Sequence, residues 1–166
     1  MKLHFQNVTL YITWRDYKMA RGSILEKNSG VGGLLLNIEH ITANKTLDKE
    51  DSGKVFMCSS TDGAVAITLP TVGTGDASAE NGLYYKFIVW EETPTADITI
   101  GAGSAIVSLV SKDAGADAGA STAGTQVSNI ILDTTAQRGD YVEMTFWNGE
   151  WVASSLSAIN GGIQTS

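Results

Sequence analysis

One cysteine, two prolines and two histidines are all that 166 residues contain of those types. Each scarcity removes a class of explanation. With Cys58 alone, no disulfide can form within the chain. One cysteine with two distant histidines, His4 and His40, excludes a zinc cluster of standard ligand spacing. Both histidines precede residue 50, so a Ser-His-Asp or Cys-His constellation would have to recruit one of them from outside the strand-rich part. No G-x-S-x-G elbow occurs, and Gly30-Val31-Gly32-Gly33 and Gly101-Ala102-Gly103 lack the lysine and hydroxyl of a phosphate loop. Long apolar runs are also missing. The longest cluster, Val31 to Ile38, is short and laced with glycine, far from the roughly 20 residues of a membrane helix. The first residues lack an apolar h-region, so no signal peptide is read. Met19 begins a stretch that would itself serve as a chain start.

Cations are scarce in most of the chain. The net charge is −7; residues 1–49 hold seven Lys/Arg against four Asp/Glu, and residues 50–166 hold four against fourteen. An acidic body of this kind argues against nucleic-acid binding, which needs cations to neutralise phosphates. It favours solubility and repulsion between like copies. Two acidic clusters, Asp113 with Asp117 and Asp48 with Glu50 and Asp51, have the oxygen chemistry that calcium takes. Neither has EF-hand spacing, and both read as solvated loops. No metal and no cofactor is expected, and no enzymatic activity. Cys58 lies in a strand-like stretch, where a small buried thiol is the ordinary reading.

What is present is β-pattern. A chain of this length can bury roughly 70% of its unfolded surface without a staple. From residue 46 onward, short alternating segments are separated by turn chemistry. Lys54 to Ser59 follows Asp51-Ser52-Gly53. Ala64 to Leu69 follows Asp62-Gly63 and stops at Pro70, with Val65, Ile67 and Leu69 on one face. Leu83 to Glu91 (LYYKFIVWE) is the strongest strand signal, with Tyr85, Phe87 and Val89 on one face and bulk on the other, as a central strand requires. Asp97 to Ile100, Ala105 to Ser111 and Gln126 to Asp133 follow, with Gly101-Ala102-Gly103 as a turn between the first two. The small, polar stretch 112–125 reads as a surface loop. No run sustains a 3.6-residue period.

Residues 138–155 (RGDYVEMTFWNGEWVASS) predict a hairpin. Arg138-Gly139-Asp140 reads as a turn before a strand. Tyr141, Glu143, Thr145 and Trp147 share one face; Val142, Met144 and Phe146 share the other. Asn148-Gly149 supplies the tight turn. Trp147 and Trp151 flank it, where they would form a cross-strand pair and a possible exposed aromatic contact. Trp90, Trp147, Trp151, Tyr84 and Tyr85 together have the flat faces that stack on sugars, although such residues also fill cores and interfaces.

These patterns predict an all-β fold: an antiparallel β-sandwich or small barrel of about eight strands, spanning residues 46–160, with a C-terminal tail at 161–166. Residues 1–45 read as an extended arm that gains order by lying on another surface. Trp14, Tyr17, Leu34, Leu35 and Leu36 are its apolar anchors, and Arg15, Lys18, Arg21 and Lys27 its cations.

The body carries marks met elsewhere: the opening TLDKEDSGKVFMCSSTDGAVAITLP, then GLYYKFIVWEE, then GDYVEMTFWNGEWVASS. From about Thr46 to Leu156 this resembles β-rich virion proteins of tailed bacteriophages, including capsid decoration and head-fibre proteins and some tail-fibre modules. The resemblance implies a non-enzymatic shell component on the capsid exterior, made in the host cytoplasm. It implies a homo-oligomer, commonly a trimer, with the major capsid protein as partner and neither nucleic acid nor membrane. A fibre module contacting host-surface glycan is the other expectation.

Overall fold

The computed structural model describes residues 37–72, 80–113, 121–122 and 127–166, with side chains described for all of these except 103–113 and 121–122. The strands are β1 (Ile38–Ile41), β2 (Lys45–Thr46), β3 (Val55–Cys58), β4 (Val65–Thr68), β5 (Tyr84–Val89), β6 (Ile98–Asp113), β7 (Ser121–Thr122), β8 (Val127–Leu132), β9 (Tyr141–Trp147), β10 (Glu150–Ser157) and β11 (Ile163–Thr165). A single 3₁₀ turn spans Lys49–Asp51, and there is no α-helix among the described residues.

The strands form two packed layers, a β-sandwich. The first layer runs β1-β3-β5-β9-β10 and the second β2-β4-β6-β8-β11. The chain crosses between layers at every step from β1 to β6, so each strand's neighbour within a layer is two strands away in sequence. Those neighbours are parallel: β1 with β3, β3 with β5, β2 with β4 and β4 with β6. Antiparallel pairing enters with β9, which lies between β5 and β10, and with β8, which lies between β6 and β11. The long β6 joins the layers. Its first residues pair with β4 and β8, while Ile106 to Asp113 run parallel to β10.

The all-β sandwich expected from the sequence is the fold, but its sheets are mixed rather than antiparallel. A two-residue period reports which face a side chain takes, not the direction of the neighbouring strand. Two further corrections concern boundaries. Gly101-Ala102-Gly103 is not a turn between two strands; it lies inside β6. At Gly101 an added Cβ would stand 2.6 Å from the Asn129 Oδ1, so glycine permits the close approach of β8. Residues 38–45, assigned from sequence to the arm, supply β1 and the first residue of β2, and part of the expected tail is β11.

The core lies between the layers and is built from one face of the larger strands. Phe56, Tyr85, Phe87, Val89, Val142, Met144, Phe146 and Trp151 enter from the first layer. Val65, Ile67, Ile98, Ile100, Ile130 and Leu132 enter from the second. Phe56 stacks on Phe87 with ring centroids 5.4 Å apart, and Trp151 tilts against Phe146 at 5.2 Å and Tyr85 at 5.7 Å. Each such buried side chain contributes about 1.5–3 kcal/mol or more of transfer free energy. The buried Tyr85 keeps its hydroxyl satisfied by donating to the Asp48 carbonyl at 2.9 Å.

The β9–β10 turn forms as its sequence requires. Asn148 and Gly149 both take positive φ, 53° and 86°, the condition for a two-residue turn whose twist matches its strands. The Asn148 N–H donates to Asn81 Oδ1 at 2.9 Å, tying the turn to the segment before β5.

Candidate functional site

The two exterior faces of the sandwich differ in chemistry. On the second layer, Ala66 and Thr68 of β4, Thr99 of β6, Ile131 of β8 and Gln164 of β11 point outward. Apart from half-buried Ile131, they are small or polar. The first layer presents bulk. Its register aligns Ile38, Val55, Lys86, Glu143 and Ser154 in one row across the strands. The adjacent row is His40, Met57, Ile88, Tyr141 and Leu156. Trp90 stands beyond the second row, next to the end of β5. At the opposite end are Tyr84, Thr145, Val152 and then Trp147. Ile38 is 57% exposed, Trp90 51%, Trp147 63% and Val152 41%. The exposed large apolar side chains among the described residues thus all lie on this layer.

A charge pair divides this face. Lys86 donates to Glu143 Oε1 at 2.8 Å and its ammonium lies 4.2 Å from the Tyr141 ring centroid. The hydrogen bond from Lys86 holds the Glu143 carboxyl below the usual carboxylate range, against the opposing effect of burial. Burial, helped by the Glu143 charge, pushes Tyr84 up to about 12.

On the β1 side lies a groove of about 420 Å³ lined by Ile38, His40, Met57 and Trp90. Arg138, from the turn before β9, reaches the same indole. Its guanidinium carbon is 5.8 Å from the Trp90 ring centroid. Its Nε donates to the Trp90 carbonyl at 2.8 Å, and its backbone N–H donates to the Glu92 carbonyl at 3.1 Å. The other cations whose side chains are described are all in ion pairs: Lys45 with Glu39, Lys49 with Glu80, Lys54 with Glu39 and Asp51, and Lys86 with Glu143. Arg138 has no carboxylate partner among the described residues.

The remaining polar clusters hold loops in place. Glu91 accepts from the Ser60 N–H at 2.6 Å, and from the Ser60, Thr61 and Ser59 hydroxyls. Burial pushes the Glu91 carboxyl up, but these hydrogen bonds outweigh it and hold the group low. Buried Asp140 accepts from the Gln137 N–H, the Ser157 hydroxyl and the Ala158 N–H at 2.8–2.9 Å. Each carboxylate satisfies backbone N–H and hydroxyl groups that would otherwise lack an acceptor. Cys58 is fully buried, and desolvation pushes its thiol up to about 12.

The sequence-predicted contact residues fare unequally. Trp147 is exposed, as the hairpin reading allows. Trp151 is not an exposed contact: it is fully buried in the core. The two indoles do not pair across the hairpin, because Trp147 is in register with Glu150 and Trp151 with Phe146, on the opposite face. The arm residues Trp14, Arg15, Tyr17, Lys18, Arg21, Lys27, Leu34, Leu35 and Leu36 lie outside the described residues. His40 is exposed beside the groove. No group of three or more His, Cys, Asp or Glu placed to hold a metal ion occurs among the described residues. Sequence reasoning missed the Arg138–Trp90 contact, which joins positions 48 apart; only the turn reading of Arg138-Gly139-Asp140 hinted that this arginine is exposed. Comparison with models of known protein families gives no match, and comparison with curated proteins gives none.

Proposed function

We propose that this chain is a structural component of a bacteriophage particle: a capsid decoration or cement protein that binds the outer shell. The observation that carries the reading is the contrast between the two exterior faces. An acidic sandwich with one small, polar face and one face bearing open Ile38, Trp90, Trp147 and Val152 is built to lie against a protein surface on one side only. The basic segment before the body supplies a second attachment. Its anchors, among them Trp14, Tyr17 and Leu34 to Leu36, and its cations, Arg15, Lys18, Arg21 and Lys27, suit an acidic protein such as the major capsid protein or a neighbouring copy. Association of copies about a symmetry axis, as a trimer, would repeat these contacts and raise avidity without one tight site. Binding only the assembled lattice stabilises it by mass action.

The test is occupancy on capsids that lack the protein. Wild type should bind at a copy number set by the shell lattice and raise the temperature at which capsids rupture. A variant lacking residues 1–36 keeps β1 and should bind weakly. Full occupancy by that variant removes the segment as an anchor. A copy number of a dozen or fewer on whole virions removes the shell reading.

A second reading, a head- or tail-fibre module that contacts host-surface glycan, is favoured by the exposure of Trp90 and Trp147. Loss of cell binding on substitution of either residue, with folding intact, would select it.

A further inference from the structure

We propose that Trp90, Arg138 and the groove beside them form a binding site for a sugar ring that carries a carboxylate. The inference rests on the glycan-contact reading, in which Trp90 and Ile38 stay open to solvent and are not covered by a shell. Three features converge. The indole of Trp90 is half exposed, which leaves flat aromatic surface available to a ligand. Beside it lies the apolar groove of about 420 Å³, within the size range of ligand sites. Over the indole lies a guanidinium that is unpaired among the described residues, in a body where every lysine whose side chain is described has a carboxylate partner.

The arginine is also held in place. Its Nε is fixed on the Trp90 carbonyl and its backbone on the Glu92 carbonyl, so the fork is oriented before any ligand arrives. The Nε bond leaves the two terminal nitrogens of the guanidinium for a carboxylate, a geometry that lysine cannot offer. The neighbouring Glu91 does not oppose this, since its carboxylate is turned into the loop after β3 and bonded there. The ligand must therefore combine an apolar face with a negative charge, which a pyranose bearing a carboxylate does. An acidic peptide has the charge but suits the shape less well. Protein partners anchor through side chains in enclosed, desolvated pockets, whereas this groove is shallow and lined by only four side chains.

The experiment titrates the full chain with oligosaccharides ending in glucuronate or sialate. Their neutral counterparts and an acidic tetrapeptide are run alongside. Binding is followed by tryptophan fluorescence and ligand-observed NMR. The acidic sugars should bind at least about tenfold more tightly than the neutral ones, and less tightly as salt rises. Trp90→Ala should abolish binding. Arg138→Gln should remove the preference for the acidic sugar, and Arg138→Lys should restore only part of it. Circular dichroism should show all three variants folded, because both side chains are exposed. Equal affinity for acidic and neutral sugars overturns the role of Arg138. Preference for the tetrapeptide overturns the sugar in favour of a protein. Binding lost through Trp147→Ala but not Trp90→Ala overturns this site while leaving the glycan reading intact, and no sugar binding at all overturns both.

Discussion

Trp147 and Trp151 sit four residues apart in one hairpin, yet replacing them should have very different consequences. Trp151 is fully buried against Phe146 and Tyr85, whereas Trp147 is 63% exposed. A buried tryptophan removes roughly 200 Å² from water, which at about 25 cal/mol per Å² is roughly 5 kcal/mol. Alanine retains a small part of that, and the indole N–H of Trp151 has no hydrogen-bond partner among the described residues, an orphan that already costs about 1 kcal/mol or more. Trp151→Ala should therefore destabilise by about 3–4 kcal/mol, within the range of large-to-small core substitutions. With a urea m-value of about 2 kcal/mol/M, the unfolding midpoint should fall by about 1.5–2 M. Trp147→Ala should cost less than about 0.5 kcal/mol. Trp151→Phe should recover most of the loss, because it keeps a ring in the core and deletes the orphan donor. Urea titrations followed by circular dichroism measure all three. Equal costs for the two alanine variants, or a larger one at Trp147, would refute the assignment of faces on which both the core and the candidate surface depend.

Four further outcomes follow from the same structure. Asp140→Ala should cost about 2 kcal/mol, since it removes the acceptor of two backbone N–H groups while the Ser157 hydroxyl keeps the Ile159 carbonyl; thermal unfolding would register this as a fall in Tm of roughly 7 °C. Gly162→Ala should destabilise by about 1–3 kcal/mol, because the new Cβ would lie 2.3 Å from Ser157 Oγ and 3.2 Å from the Ala136 backbone; wild-type stability in a urea titration would contradict the crowding. Acid should weaken the fold. Glu39, held low by hydrogen bonds from Lys45 and Lys54, along with Glu91 and Glu143, has a folded pKa below its unfolded one, so its contribution is present at neutral pH and is lost as pH falls from about 5 towards 2. Urea midpoints across that range should decline, and Glu91→Gln should flatten the decline. Finally, Cys58 should resist a thiol reagent at neutral pH in the native state and react at once in denaturant; rapid native labelling would contradict its burial and its thiol pKa of about 12.

Much of the fold was legible because alternation reports burial directly. Tyr85, Phe87 and Val89 form one face of β5 in sequence and are fully buried in the structure, and Asn148-Gly149 takes the positive φ its chemistry favours. Partner identity was not legible. Nothing local in Val55–Cys58 says that it lies between β1 and β5, since those contacts depend on where the chain returns after crossing to the other layer. Glycine misled at β6, where it serves close packing against Asn129 instead of a reversal. Aromatic content pointed to a contact surface, but Trp151 and Trp147 could not be told apart until the pairing was known. The turn reading of Arg138-Gly139-Asp140 was correct, yet the use of its arginine depends on Trp90, which a local reading cannot supply.

The order in which the strands are made has a consequence for synthesis. β1, β3 and β5 are complete by residue 89, but their layer connects to the long β6 only through β9 and β10, residues 141–157. While the ribosome is still short of that hairpin, the nascent chain exposes the unpaired backbone edge of β5, and Tyr85 lacks its packing against Trp151. Chaperone capture during translation should therefore peak before the hairpin emerges and end once it has docked.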